Sequence, residues 1–500
     1  MRKKRLAKNT ISSLIFQICT VISGFILPRL ILECYGSEVN GLVNSITQFL
    51  ALISFLELGV GAVVQSALYK PLAEKDNDTV SKIIVSANNF FKRIGEILLV
   101  YVLILMVIYP YIAHQNFDKV YTVILIAAMS ISSFAQYYFG VVDRLLLTAD
   151  QRGYLQYNAQ TITLIANTVL CAIMMLCGGS IQMVKLTTSL IYLVRPIVLR
   201  IYVNKNYKIN RKIKYNIEPI EQKWNGIAQH VATVVLDNTD TIVLTIFASL
   251  SAVSVYSVYH LVVYGVKYLF LSMTNGIQSL LGELWALNDE KEMNKAFEWT
   301  EWSLHTGITL IFGCTGMLII PFIQVYTKGI TDVDYIQPIF AGLIVLAHAT
   351  HCLRIPYHMV IKAGGHYKET QNNYIMATIL NVVISVVTVK LWGLVGVAIG
   401  TLVAMTYQTV WMAYYNSINL MKRSFKLFIK QILVDAVSVM ICVGASFWIK
   451  MPSPSYIGWT LAALFTLIIW CVAILVINFV VYRDKTSRLL KIFMKKLSRK

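Results

Sequence analysis

Charge is in short supply in this chain. Charged residues make up 14% of its 500 residues, where an average soluble domain carries about 25%. A mean hydropathy of +0.63 leaves more apolar surface than one globular core of this length hides. A water-soluble enzyme and a disordered chain are excluded. Cysteine is sparse too: the eight residues lie mostly inside apolar runs, with no CxxC pair and no zinc spacing. They read as small buried hydrophobes, and a disulfide scaffold is excluded. No P-loop, no GxGxxG with its partner acid and no nucleophile elbow occur, so nothing in the chain hydrolyses ATP. The basic start Met1-Arg-Lys-Lys-Arg imitates a signal peptide. No small-residue cleavage site follows it, so the first apolar run is expected to stay as a helix.

What is present is apolar sequence, 57% of the chain. A spanning helix needs about 20 mostly apolar residues. Fourteen stretches qualify: 10–33, 40–67, 94–113, 119–142, 156–178, 181–200, 226–248, 251–283, 302–327, 335–360, 370–391, 393–417, 431–450 and 456–482. They are continuously apolar, which argues for helices over barrel strands. The expected fold is an all-α polytopic membrane protein with about 14 transmembrane helices. Charge tests that count. With the N-terminus cytoplasmic, 35 of the 44 Lys and Arg fall in inner segments and five (Lys119, Lys185, Lys328, Lys390, Lys450) in outer loops. One missed span would invert this bias downstream of it. Both termini are expected inside, in the cytoplasmic membrane, and the net charge of +19 speaks for charge sorting and anionic membrane lipids rather than nucleic acid. Residues 78–93 place Val80, Ile83, Ile84, Ala87, Phe90 and Phe91 at helical spacing, and are expected to lie on the inner membrane surface.

The halves repeat. At an offset of 214, residues 145–158 lie over 359–372, pairing Ala149 with Ala363, Asn158 with Asn372 and Asn167 with Asn381. Six spans separate the copies, so the repeats are parallel, about an axis along the membrane normal. This predicts an N-terminal six-helix bundle (1–203), a basic cytoplasmic linker (204–225), a C-terminal six-helix bundle (226–417), two extra helices (418–482) and a basic amphipathic tail (483–500). A cleft between duplicated bundles suits alternating access.

The opening SGFILPRLILECYGSEVNGLVNSITQFLALISFLELGVG (23–61), with a turn at Gly36, Gly41 and Leu42, and the stretch DNTDTIVLTIFASLSAVSVYSVY (237–259) resemble two hairpins of the Wzx-type polysaccharide flippases. These belong to the multidrug/oligosaccharidyl-lipid/polysaccharide exporter superfamily. The resemblance covers essentially the whole chain, though its motifs are degenerate. It implies a flippase rather than an enzyme, moving undecaprenyl-diphosphate-linked oligosaccharide repeat units outward for cell-surface polysaccharide biosynthesis. It implies a polysaccharide polymerase and glycosyltransferases as partners, and no cofactor beyond a coupling Na+ or H+. A drug/cation antiporter of the same superfamily is the alternative; it calls for a more acidic cleft. A membrane polymerase or glycosyltransferase is a third reading, and the outer loops are too short to house its active site.

Four basic residues fall within spans: Arg29, Arg195, Lys267 and Arg354. Each costs at least ~2.5 kcal/mol against lipid, so each should face substrate, a partner or an interface. Three lie beside proline (Pro28, Pro196, Pro356), where a kink opens polar pockets. A diphosphate suits them, since a guanidinium donates two hydrogen bonds at once. Helix 10 adds His348, His351 and His358 in a stripe with Arg354; without a carboxylate it reads as a sugar-binding stripe with His351 at its centre, not a zinc site. Asp237 and Asp240 stand mid-helix 7 with Asn238 beside them. Asn381 and Thr401 offer further oxygens, so these five are the candidate ion-coupling residues. A salt bridge to Lys267 is the structural alternative for the two acids. Glu57 and Asp435 read as lone acids.

Overall fold

The computed structural model describes residues 2–57, 59–113, 117–220, 227–451 and 453–497, and contains no β-strand among them. The chain forms two compact units, 1–255 and 256–500. The first holds α1 (Arg2–Ala51), α2 (Val60–Glu74), α3 (Asn77–Ile112), α4 (Lys119–Ala135), α5 (Val141–Ala149), α6 (Tyr154–Leu176), α7 (Ile181–Asn206), α8 (Ile227–Phe247) and the start of α9 (Leu250–Met273). The second holds the rest of α9, then α10 (Asn275–Ala286), α11 (Glu290–Tyr326), α12 (Pro338–Leu353), α13 (Ile355–Ala363), α14 (Tyr367–Trp392), α15 (Leu394–Tyr415), α16 (Lys426–Ser446), α17 (Tyr456–Val481) and α18 (Arg483–Leu497).

The helices are built for lipid, not water. On α17 the buried stripe is Gly458, Ala462, Thr466, Trp470, Ile474 and Asn478, while Leu464, Phe465, Ile468, Val472 and Val476 are exposed. On α16 the buried positions include Gln431, Asp435, Ser438 and Ser446. Small and polar residues turn inward because hydrocarbon solvates large apolar side chains well and polar ones badly. Eleven helices among the described residues are long and apolar enough to cross a membrane. The first of these, Lys8–Glu57, holds two expected spans, divided inside α1 by Gly36 at φ 82°. The seventh and eighth expected spans are α8 and α9, whose polar residues, among them Asp237, Asp240 and Lys267, lower their mean hydropathy. The chain is a multi-pass membrane protein.

The repeat shows in the element bounds. Val141–Ala149 and Ile355–Ala363 are nine-residue helices at the offset of 214. Each follows a departure from regular helix: a π-helical turn at Gln136–Gly140, and a break at Arg354. Asn167 and Asn381, paired by the repeat, are both buried. Division by compactness falls past the repeat boundary at 226, because α8 and the start of α9 pack with α1.

Three expectations change. Residues 78–93 do not form a separate surface helix; they are the first half of the continuous α3. Val80, Ile83, Ile84, Ala87 and Phe91 are in the core of the first unit. At 36 residues α3 is about 54 Å long, well beyond the ~30 Å hydrocarbon layer, and protein covers the excess. The segment after α7 does this covering. Asn210 N donates to Ser81 Oγ (3.0 Å), Ser86 Oγ to Glu218 Oε1 (2.5 Å), and Arg211 and Arg200 pair with the fully buried Asp143 at 3.3 and 3.1 Å. Tyr207 donates to Asp150 (2.5 Å), and burial and that carboxylate push its phenol up from its ordinary pKa. The linker is thus a strap as far as Ile220; residues 221–226 lie outside the described ones, as do the last three of the tail. Second, two cysteines expected to be buried, Cys34 and Cys177, are exposed. Third, Asp435 is not a lone acid: His305 Nδ1 meets its Oδ2 at 2.5 Å.

Candidate functional site

The two stretches that carry the family resemblance meet within the first unit. Gly36 makes the turn, while Gly41 is helical and serves another end. A Cβ on Gly41 would sit 1.8 Å from the carbonyl oxygen of Leu250. Only glycine lets these backbones approach so closely. Around this point Asn40 Nδ2 donates to Ser254 Oγ at 2.8 Å, Ser45 Oγ meets Thr245 Oγ1 at 2.7 Å, and Tyr109 donates to Ser45 at 2.7 Å. The hairpin of the first repeat is sealed against the first hairpin of the second by satisfied, buried hydrogen bonds.

Also in the first unit, Arg29 is paired with Glu33 one turn on, at 2.5 Å. Pro28 leaves α1 unbroken there. Asp240 is buried and Asp237 exposed on the same helix, so the two acids face different surroundings. Asn238 turns back on its own helix, its Nδ2 donating to Val234 O at 2.6 Å, which commits one of its two amide N–H groups. Arg195 donates from Nε to Thr163 Oγ1 (2.6 Å) and stacks on the Tyr192 ring at 3.6 Å.

The second unit gathers the remaining candidates on α9, α12, α14 and α15. Lys267 is 6% exposed and lies 5.3 Å from the Tyr264 ring. His260 and His348 make an edge-to-face contact at 5.6 Å. Arg354 is buried at the break between α12 and α13, where Pro356 restarts the helix, and its Nη2 lies 3.0 and 3.2 Å from the two ring nitrogens of His351. Of the three Arg–Pro neighbours, this one alone breaks its helix. His351 also meets Met405 Sδ at 3.3 Å. On the α14–α15 seam Asn381 Nδ2 donates to Thr401 Oγ1 at 3.1 Å, both buried. Asn373 and Gln408, buried on the same two helices, have no hydrogen-bond partner for either side-chain atom among the described residues. Such atoms invite water or an ion. The structure thus brings Asn381 and Thr401 together, while Asp237, Asn238 and Asp240 belong to the first unit.

Two features escaped the sequence reading. One is a buried network: Tyr357 donates to Glu301 (2.6 Å), Arg423 pairs with Glu301, and His305 links Tyr357 (3.5 Å) to Asp435. Its signal was Glu301 and His305 four apart on one helix face. The other is an apolar cavity of about 680 Å³ bounded by α11, α12, α15, α16 and α17. Val345, Leu346 and Ala349 of α12, Val439 of α16 and Trp470 of α17 line it, with Asp435 at one edge. No linear motif marks a cavity made by five helices.

No protein-family model matches the sequence, and no curated protein matches it. The fold is nevertheless shared with solved membrane transporters. The lipid II flippase MurJ in an inward closed conformation superposes with a TM-score of 0.73 at 14% identity, over 95% of this chain and 99% of that one. The eukaryotic MATE transporter AtDTX14 gives 0.58 at 12% identity, over 87% and 99%. The Vibrio cholerae MATE transporter VcmN in its bent form gives 0.56 at 13%, over 84% and 97%. The chain has the fold of the MOP superfamily transporters.

Proposed function

We propose that this protein is a flippase for a lipid-linked oligosaccharide diphosphate, working by alternating access, as the resemblance to Wzx-type flippases implies. One observation carries the reading. Helix α12 bears the imidazole face of His348 and His351 and ends at Arg354, while its other side lines the 680 Å³ apolar cavity. A lipid diphosphate has both parts: a charged head for Lys267 and Arg354, and a hydrocarbon chain for the cavity. A water-soluble cationic drug has neither, and a positively lined site repels it. Superposition over 95% of the chain on a lipid II flippase supports the reading at the level of the fold.

The substrate is undecaprenyl-diphosphate carrying an oligosaccharide repeat unit, handed on to a polymerase, with glycosyltransferases supplying it. The protein sits in the cytoplasmic membrane with both termini inside. The Gly41–Leu250 seal then lies at the outer ends of its helices and closes that side. Transport is coupled to Na+ or H+ through Asp237 and Asp240 of α8.

The test is reconstitution in proteoliposomes with a fluorescent polyprenyl-diphosphate sugar. Flipping is expected in the wild type and to fall at least about tenfold in Lys267→Gln and Arg354→Gln, since each loses a charge-assisted contact. Equal flipping of the same lipid sugar without phosphate would remove the diphosphate from the reading. Transport of a cationic drug in its place would favour the antiporter.

A further inference from the structure

Within the first unit, helices α4 to α7 enclose a half-open cavity of about 100 Å³. Both of its charged lining residues are cationic, Arg144 and Arg195. Neither guanidinium makes an ion pair among the described residues. Keeping a cation at the wall of a membrane cavity without an ion pair is costly unless an anion arrives. Arg195, which lines the cavity, is held in place: Thr163 takes its Nε and Tyr192 stacks on its plane. Gln160 adds a buried Oε1 with no partner among the described residues, and Gln156 and Ser133 add polar groups at the wall.

The backbone is irregular on both sides of this cavity. Gln136–Gly140 is a π-helical turn, a feature that recurs at functional sites. Opposite it, Pro196 has no N–H to give the Tyr192 carbonyl. The two irregular places touch, since a Cβ on Gly140 would lie 2.9 Å from Pro196 Cβ. The room is enough for a few water molecules or one tetrahedral oxyanion. Residues interleaved with the lining ones, Phe139, Ile162, Val194 and Ile197, are exposed apolar side chains on membrane helices. The helices that wall the cavity thus also carry exposed apolar side chains of the kind that suit acyl chains.

We propose that this cavity binds the phosphate of an anionic membrane lipid, with Arg144 and Arg195 as its two cationic clamps. The site lies wholly in the first unit and is separate from the Lys267–Arg354 face. Its ligand is a phosphate attached to an acyl or polyprenyl chain.

The test uses the full-length protein in neutral detergent, with thermal unfolding and lipid titration as readouts. Phosphatidylglycerol is expected to raise the unfolding temperature by several degrees, and an uncharged diglycosyl lipid with the same acyl chains is not. Apparent affinity is expected to fall at least about tenfold in Arg144→Gln/Arg195→Gln, which loses two charge-assisted contacts. Gln160→Glu places a carboxylate of the same shape beside the arginines; it should abolish the lipid effect while leaving the lipid-free protein at least as stable as wild type. That variant keeps the test decisive if the double variant folds poorly. A polyprenyl phosphate that competes with phosphatidylglycerol supports the site and identifies the substrate's own anchor as one occupant. Retention of the phosphatidylglycerol shift in Gln160→Glu, or an equal shift with inorganic phosphate alone, would overturn the proposal.

Discussion

Asp435 shows how much a single side chain depends on its surroundings. It accepts from His305 at 2.5 Å, takes Gln431 Nε2 at 3.5 Å and borders an apolar cavity. Removing one partner of a buried hydrogen bond leaves the other's polar atom unsatisfied, at a cost of about 1–3 kcal/mol. Asp435→Ala is therefore expected to lower the unfolding temperature sharply, while Asp435→Asn keeps an acceptor for His305 and costs much less. Equal unfolding temperatures for the two variants would show that the pair does not hold α11 to α16. The acids of α8 lead to a different expectation. Asp237→Asn with Asp240→Asn should abolish the Na+ or H+ dependence of flipping while the protein stays folded and inserted. Uptake measured with and without an ion gradient decides it, and an unchanged dependence would make both acids structural.

Among the elements, the close packing of α1 on α9 rests on one missing methyl group. Gly41→Ala forces the Leu250 carbonyl aside, and overpacking of this kind costs about 1–3 kcal/mol. If the seal is a gate, the variant should also expose neighbouring positions to a membrane-impermeant thiol reagent, read with cysteine at Ser254. Lower stability with no gain in labelling would make the contact a structural seam and nothing more. Gly313 does the same for α11, where a Cβ would fall 1.8 Å from the Trp470 ring. The strap after α7 works by charge instead. Asp143 is fully buried between Arg200 and Arg211, so Asp143→Asn should loosen it, raising proteolytic cleavage between 207 and 220. Unchanged cleavage would mean that Ser81, Ser86 and Glu218 hold the strap by themselves.

For the whole molecule, orientation is the property to test. The excess of Lys and Arg in alternate loops predicts that both termini and the 204–225 segment share one side. Reporters fused at Lys214 and after Lys500 should be active only in their cytoplasmic forms. External labelling at Lys214 would break the fourteen-span order, whatever the fold of each unit. The stripes on α16 and α17 carry the complementary expectation that a charge at an exposed position such as Val472 blocks insertion, at a cost of about 2.5–3.5 kcal/mol on insertion scales.

The sequence alone determined the solvent, the all-helical class and the order of spans, because bilayer thickness and backbone hydrogen bonding allow so few alternatives to a long apolar run. It also located the repeat, since Val141–Ala149 and Ile355–Ala363 keep their offset to the residue. It singled out Arg29, Lys267 and Arg354 because charge within a span is costly wherever it faces. What each charge meets was decided by tertiary structure alone. Glu33 lies one turn from Arg29 and was within reach of a sequence argument, but Asp435 and His305 are 130 residues apart. The covering of Val80, Ile84 and Phe91 by the strap, and the cavity walled by five helices, likewise come from parts of the chain that meet only on folding. An apolar stripe records that a face is shielded from water. Whether lipid or protein shields it is set by packing partners that no local pattern encodes.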